Sequence, residues 1–202
     1  MVTASLLSVF PIMTSMSESG RDSKLGSWTV AKAAWFHEKI SPVFAALFEK
    51  MSEGSNAAVG EDESVELPFK VNNPKRRPDL EAEMLELVNA ERRDNGLKPV
   101  EADPAIAEVA VKHSADMFAR GYFSHLNPDG KTPFQRIRAE GVNFFTAGEN
   151  LALAQTLDIA HRGLMNSPGH RANILRPAFG RLGIGILDGG IYGLMITQNF
   201  RN

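Results

Sequence analysis

The stretch from Ser124 to His170, SHLNPDGKTPFQRIRAEGVNFFTAGENLALAQTLDIAHRGLMNSPGH, carries three short polar motifs, each next to glycine, proline or a turn. His125 lies in the first motif, Glu149 in the second, and His170 ends the third. Imidazole and carboxylate side chains bind divalent metals and transfer protons near neutral pH. We expect these three side chains to meet at the floor of one cleft, with His113 as a further candidate from upstream.

The composition is that of a soluble globular protein, since 43% of the 202 residues are apolar and 23% are charged. This length suits one domain with additional segments, or two small domains. The net charge of −2 predicts no nucleic-acid footprint. Because the chain has no cysteine, disulfides, thiolate catalysis and zinc–sulfur sites are excluded.

Residues 1–51 are predicted to form an apolar and amphipathic helical segment that can associate with a membrane. The uncharged Val2–Ser17 suits a weak export or membrane segment, the tail of a spanning helix, or a disordered terminus. Apolar and aromatic residues of Trp28–Met51 recur at helical spacing around Pro42. This pattern indicates a helix pair that lies on a membrane surface or against the main domain. The segment resembles the end of membrane proteins of the colicin V production family.

Residues 52–78 are predicted to be a flexible linker, followed by a folded domain at residues 79–202. The linker contains the acidic run Glu61-Asp62-Glu63 and several glycine and proline residues. Such a segment buries too little apolar surface to offset the entropy cost of ordering.

The first part of the domain is predicted to be helical. An apolar stripe indicates a helix at Asp79–Asn95, whose first residue can cap it. Asp103 precedes proline and caps a second helix, which turns His113 inward. Thr132 and Thr156 are the predicted caps of two further helices.

Two strands, Leu182–Leu187 and Ile191–Phe200, are predicted to form a hairpin around Asp188-Gly189-Gly190. Gly183 and Gly185 leave one face of the first strand bare, so that another backbone can approach closely. Helices come first and strands late, without regular βαβ alternation, which predicts the α+β class.

Six motifs stand in order within residues 79–202, and together they resemble the CAP superfamily of cysteine-rich secretory proteins, antigen 5 and plant pathogenesis-related proteins. The chain is most similar to the bacterial branch. The resemblance implies an α-β-α sandwich, with helices on both faces of an antiparallel sheet. The motifs are Val88-Asn89-x-Glu91-Arg92, His113-Ser114-Ala115-Asp116-Met117, Gly121-Tyr122-Phe123-Ser124-His125, Gly148-Glu149-Asn150, Asn166-Ser167-Pro168-Gly169-His170-Arg171-Ala172-Asn173-Ile174-Leu175 and Tyr192-x5-Gln198-x-Phe200.

The resemblance also implies a cleft with two histidines and two acidic residues, which holds a divalent cation in some members. His125, Glu149 and His170 match three of these positions. Asn166 stands in place of the second acid, and Gly163 stands in place of a common tryptophan. One carboxylate is therefore missing, and we expect a more open cleft wall at Gly163.

For a metal centre, His125, His170 and Glu149 would supply the two imidazoles and one carboxylate that leave zinc an open position. We expect a divalent cation here, zinc first, with calcium and magnesium as alternatives. Read without a metal, the same residues predict a buried polar network in which Glu149 bonds to both histidines.

The predicted function is that of a binding module, because CAP proteins as a group bind ligands more consistently than they catalyse reactions. The expected ligand is a small amphiphile, a cell-wall component or a partner protein, bound with or without a cation. Phe144-Phe145 and Leu151–Leu153 would line an apolar path. The expected ligand cleft comprises His113, His125, Glu149, Asn166 and His170.

The alternative function is a metal-assisted protease or esterase that uses His125, Glu149 and His170. Ser124 directly precedes His125, and Ser167 stands three residues before His170. Neither serine stands in the strand-to-helix turn that is typical of a nucleophile. The resemblance to the CAP superfamily implies an extracytoplasmic protein, either secreted or anchored at the cell envelope.

Overall fold

The computed structural model describes residues 64–202. The predicted helical segment at 1–51, its membrane association and the colicin V resemblance lie outside these residues. Within 64–202, no helix is both long and apolar enough to cross a bilayer. The elements in order are β1 Val65–Glu66, β2 Lys75–Arg76, α1 Pro78–Asp94, β3 Glu101–Ala102, α2 Pro104–Arg120, β4 Tyr122–Phe123, α3 Pro133–Ala139, β5 Ala147–Ala154, α4 Leu157–Asn166, α5 Pro168–Ile174, β6 Arg181–Asp188, a 3₁₀ turn Gly190–Tyr192 and β7 Leu194–Arg201.

The main sheet is antiparallel at its centre, where β6 pairs with β7 and β7 pairs with β5. β2 pairs antiparallel and β3 pairs parallel with opposite ends of β6. The principal core packs α1, α4 and α5 against apolar side chains of this sheet. α2 and α3 share a second apolar cluster, and α2 lies along β6 and β7. The predicted α-β-α sandwich is therefore confirmed.

The helix caps follow the predicted chemistry in three of four cases. Asp103 accepts hydrogen bonds from the backbone at the start of α2, Thr132 forms a capping box at α3, and Thr156 caps α4. The predicted cap at Asp79 is wrong, because α1 begins one residue earlier, at Pro78. Asp79 instead lies in the first turn and pairs with Arg77.

The predicted hairpin forms, but its connection is longer than expected. Residues 190–192 make a 3₁₀ turn, and β7 begins only at Leu194. Gly190 and Gly193 have φ values of 65° and 79°, in the left-handed region that glycine tolerates best. Gly190 begins the turn and Gly193 follows it, so the strand starts only at Leu194.

The bare face of β6 receives helix α2, as the glycine pattern predicts. A Cβ added at Gly183 would lie 2.3 Å from the backbone nitrogen of Ala107, and one at Gly185 would lie 2.3 Å from that of Val111. The Ser114 hydroxyl donates to the Gly185 carbonyl at 3.1 Å, which ties the helix to the strand. This close approach brings α2, and His113 with it, down onto the sheet.

Residues 64–78 pack on the domain, in contrast to the flexible linker predicted for them. β1 pairs with β4, and the Leu67 N–H donates to the Gly121 carbonyl at 2.9 Å. Leu67 and Phe69 are buried, and the Phe69 ring stacks on Tyr192 with centroids 4.4 Å apart. Apolar side chains at alternate positions therefore order this segment despite its prolines, and the domain begins before Asp79.

We expect Gly185→Ala to lower the free energy of unfolding by more than about 2 kcal/mol, because the new methyl group would overlap the α2 backbone. Equilibrium unfolding of the full chain in urea measures this. Gly180→Ala is the matched control, since nothing lies within 4 Å of a Cβ added there. Equal stabilities of the two variants would contradict the close packing of α2 on β6.

Candidate functional site

The loop that carries His125 is fixed to helix α2. It leaves the short strand β4 at Ser124, whose carbonyl accepts a hydrogen bond from His113 Nε2–H at 3.0 Å. The Ser124 hydroxyl accepts from the Leu126 backbone N–H at 3.2 Å. His113 therefore acts on the position of the loop, and Ser124 is engaged with local backbone.

Glu149 lies in β5, and its side chain is only 1% exposed. Its Oε1 accepts a hydrogen bond from His125 Nδ1–H at 2.9 Å. Its Oε2 accepts from Arg136 Nη2 at 2.7 Å. The structure thus brings His125 and Glu149 together, as the sequence predicts, but both carboxylate oxygens are already bonded within the protein.

Arg136, from α3, is the site residue that sequence reasoning missed. Besides Glu149, it donates through Nη1 to the carbonyls of His125 at 2.8 Å and Lys131 at 2.9 Å. Its side chain is 10% exposed. Pro133, one turn earlier on the same helix, is also buried, but this burial is known only from the structure. We call His113, His125, Arg136 and Glu149 the polar cluster.

The carboxyl group of Glu149 is held ionised. Burial by itself would raise its pKa, but the positive charge that His113 gains on protonation, the hydrogen bond from His125 and the charge of Arg136 outweigh burial. The resulting pKa is about 2. The ionised carboxylate fixes the proton of His125 on Nδ1 and leaves Nε2 as a hydrogen-bond acceptor.

His113 is buried and stays neutral at physiological pH. Burial lowers its pKa to about 4, and the nearby charge of Glu149 offsets only part of this effect. Because Nε2–H donates to Ser124, the lone pair is on Nδ1, which has no partner within the described residues. The sequence predicted the inward direction of His113 correctly.

His170 lies in α5 and does not bond to Glu149 in the described structure. Its Nδ1 is hydrogen-bonded to the Ser167 hydroxyl at 2.8 Å. Burial, followed by the charge of His125, lowers its pKa to about 4. Of the two histidines, only His125 contacts the carboxylate of Glu149.

Asparagine side chains connect α5 to the strand that carries Glu149. Asn150 donates to the His170 carbonyl at 3.1 Å and to the side-chain oxygen of Gln198 at 3.0 Å. Asn173 donates to the Asn150 side-chain oxygen at 2.9 Å and to the Glu149 carbonyl at 3.3 Å. This amide network lies between the polar cluster and the outer surface of α5.

Asn166 is exposed at the end of α4 and lines a surface groove of about 600 Å³. Gly163 is buried and does not line this groove. We refer to this feature as the α4–α5 groove. It is lined by Met165, Asn166, Pro168, Arg171, Ala172, Asn173, Leu175, Arg176 and Pro177.

The apolar residues expected to line a ligand path do not form one. Phe145 is 99% exposed, whereas Phe144 packs beside Phe134 with ring centroids 6.1 Å apart. Leu151 and Leu153 are buried within the domain. The sequence shows that these side chains are apolar, but it does not show which of them the rest of the fold covers.

Comparison with known proteins agrees with the motif order. The model of the cysteine-rich secretory protein family, CAP, matches residues 85–200. The chain belongs to this family. Its membership shows that the family's fold does not require cysteine, since this chain contains none.

Two relatives of this CAP protein are found in Bacillus subtilis (strain 168). The uncharacterized protein YkwD is 40% identical over 111 residues, which are 54% of this chain and 43% of YkwD. The uncharacterized membrane protein YlbC is 38% identical over 121 residues, which are 59% of this chain and 34% of YlbC. The match therefore spans less than half the length of either relative.

A crystal structure of an extracellular protein containing an SCP domain, from Bacillus anthracis str. Ames, has a similar fold. It is 34% identical with a TM-score of 0.56, and the match covers 62% of this chain and 41% of that protein. The chain is thus a CAP-domain protein of bacterial type.

Of the three metal donors expected in this CAP domain, Glu149 is engaged within the protein, whereas the hydrogen bonds of His125 and His170 use only Nδ1 and leave Nε2 available. Glu149 has both oxygens bonded, and His125 turns Nδ1 toward that carboxylate. His170 uses Nδ1 on Ser167. Within residues 64–202, no group of three or more His, Asp or Glu side chains is arranged to hold a metal ion.

We expect the stability of the CAP domain to fall as the pH is lowered from about 6.5 to about 4. His113 and His170 have a pKa of about 4 in the fold, against 6.5 for an ordinary histidine. Between these values the unfolded chain binds more protons, so each histidine removes about 3 kcal/mol of unfolding free energy on acidification.

Urea unfolding at a series of pH values tests this expectation. His170→Gln removes one of the two titrating groups, so the pH dependence should be roughly halved in that variant. An unchanged slope in His170→Gln would contradict the buried, neutral state assigned to this histidine.

Proposed function

We propose that this CAP domain is a binding module for a small amphiphile, and that the ligand lies in the α4–α5 groove. The observation that carries the proposal is the groove itself, whose volume of about 600 Å³ is typical of small-molecule sites. Its walls combine apolar side chains with amide and guanidinium groups. A mixed lining of this kind suits a ligand with an apolar body and a polar head.

The charges around the groove favour an anionic head group. Arg171 and Arg176 line it, and no acidic residue does. Arg176 lies 5.2 Å from the centroid of Phe179 and is exposed, as is Arg171. Neither guanidinium forms an ion pair with another residue of the described range. Because guanidinium matches carboxylate and phosphate oxygens, these two side chains can bind a carboxylate or phosphate head.

One side chain connects the groove to strand β5, which carries Glu149. Asn173 lines the groove and also donates to the Glu149 carbonyl and to Asn150. A ligand that displaces Asn173 would therefore break its hydrogen bonds to β5. This connection supports a ligand-responsive role for the polar cluster.

The hydrolase alternative has less support from the geometry. His125 is oriented by Glu149 as a general base would be. However, the Ser124 hydroxyl accepts from the backbone of Leu126, and Ser167 is buried and bonded to His170. Neither serine is thus presented beside His125 as a nucleophile.

An extracytoplasmic location forms part of the proposal. The Bacillus anthracis relative is described as extracellular, and YlbC is described as a membrane protein. A binding module at the cell envelope would be exposed to amphiphiles there, which is consistent with the proposed ligand.

We expect the full chain to bind dodecyl phosphate below its micelle concentration, with at least tenfold weaker binding in the Arg171→Glu, Arg176→Glu double variant. Tenfold corresponds to about 1.4 kcal/mol, a modest estimate for reversing two contacts to a charged head. Isothermal titration calorimetry measures the affinity. Arg93→Glu is the matched control, since Arg93 lies at the end of α1 and does not line the groove.

Two further ligands define the chemistry of the head and the body. A neutral dodecyl glucoside should bind more weakly than dodecyl phosphate if the charge matters, and inorganic phosphate should bind more weakly if the chain matters. Equal binding of dodecyl phosphate by the groove variant and the Arg93→Glu control would overturn the proposal.

A further inference from the structure

Methionine is the only sulfur-containing residue type of this chain, which has eight methionines and no cysteine. Four of the methionines fall within residues 64–202. Met84, Met117 and Met195 are completely buried. Met165 is half-buried and lines the α4–α5 groove. Among the residues that the structure describes, Met165 is thus the one methionine that solvent reaches.

Met165 supplies much of the apolar wall of the groove. It stands one residue before the end of α4 and packs against the principal core, as Leu175 does. Met165 and Leu175 are the two large apolar side chains among the lining residues. An alkyl chain bound in the groove would therefore lie against the thioether of Met165.

A thioether that solvent reaches is oxidised by hydroperoxides. The sulfur lone pair attacks one peroxide oxygen, the O–O bond breaks, and the other oxygen leaves as water after proton transfer. The sulfur loses two electrons, the peroxide gains them, and the product is methionine sulfoxide. A methionine in a closed core reacts only when the domain opens locally, so burial protects it. The burial pattern of this domain therefore directs oxidation to Met165.

We propose that Met165 is a reversible oxidation site and that its sulfoxide makes the α4–α5 groove reject apolar chains. The sulfoxide places a polar S–O group in the apolar wall, where a bound alkyl chain would bury it without a hydrogen-bond partner. Methionine sulfoxide reductase reverses the change with a dithiol, which becomes a disulfide while the oxygen leaves as water. The effect on binding rests on the proposed function, whereas the oxidation site rests on the burial of the methionines.

The first measurement is a peptide map of the full chain after timed treatment with hydrogen peroxide. Sulfoxide should form at Met165 at least about tenfold faster than at Met84, Met117 or Met195, because the fold covers those three side chains. The same treatment in concentrated urea is the control, since the four rates should become equal once the fold is lost. Equal rates in the folded protein would overturn the proposal.

The second measurement is calorimetric titration with dodecyl phosphate before oxidation, after oxidation and after treatment with the reductase. Oxidation should weaken binding at least about tenfold, and the reductase should restore it. Met165→Leu keeps an apolar side chain of similar volume but cannot form a sulfoxide. Compared with its own untreated sample, this variant should lose no affinity after peroxide. A loss as large as that of the wild type would show that other methionines are responsible and would overturn the proposal.

The remaining outcomes separate this proposal from the proposed function. Unchanged affinity after complete oxidation of Met165 would refute the effect on the groove and leave amphiphile binding intact. Unfolding on oxidation, seen by circular dichroism, would also count against the proposal, because it would place the sulfur in the core. If the untreated protein does not bind dodecyl phosphate, the proposed function fails and the effect on binding fails with it. The peptide map then still decides whether Met165 is an oxidation site.

Discussion

The buried carboxylate of Glu149 must keep its charge compensated, and the surrounding segments are arranged to do so. An ionised carboxylate without partners is costly inside a protein. Here His125 reaches it from the loop after β4 and Arg136 reaches it from α3. Because Arg136 also bonds to the His125 carbonyl, three separate segments meet at one charged group. Loss of any one partner would leave the others unpaired in the interior.

The sheet determines where this charged group lies. Glu149 and Asn150 are adjacent on β5, opposite Asn199 and Gln198 of β7. Successive side chains of a strand point to opposite faces. Glu149 consequently faces the other residues of the polar cluster. Asn150 faces the opposite side and bonds to α5 through the His170 carbonyl and Asn173. One dipeptide thereby links the two helical layers of the sandwich through the sheet.

Much of the fold could be predicted from local signals. Asp103, Thr132 and Thr156 cap helices as their positions suggest, and the glycines of β6 admit the α2 backbone. The segment at 64–78 was misjudged because its prolines and charges outnumber its apolar residues. Its burial depends on surfaces that α2 and the β6–β7 turn provide, such as the ring of Tyr192 beneath Phe69. Such surfaces exist only in the folded domain.

The sequence by itself determined the family, the class of the fold and the contact between His125 and Glu149. Short motifs and helix caps depend on only a few neighbouring residues, so both the motifs and their order can be identified from the sequence. Only the tertiary structure decided that Arg136 completes the cluster, that His170 bonds to Ser167, and that Asn166 faces a groove. Arg136 is 13 residues away from Glu149 along the chain. A charged side chain on a helix is exposed or buried according to what packs against that helix, and no local pattern contains this information.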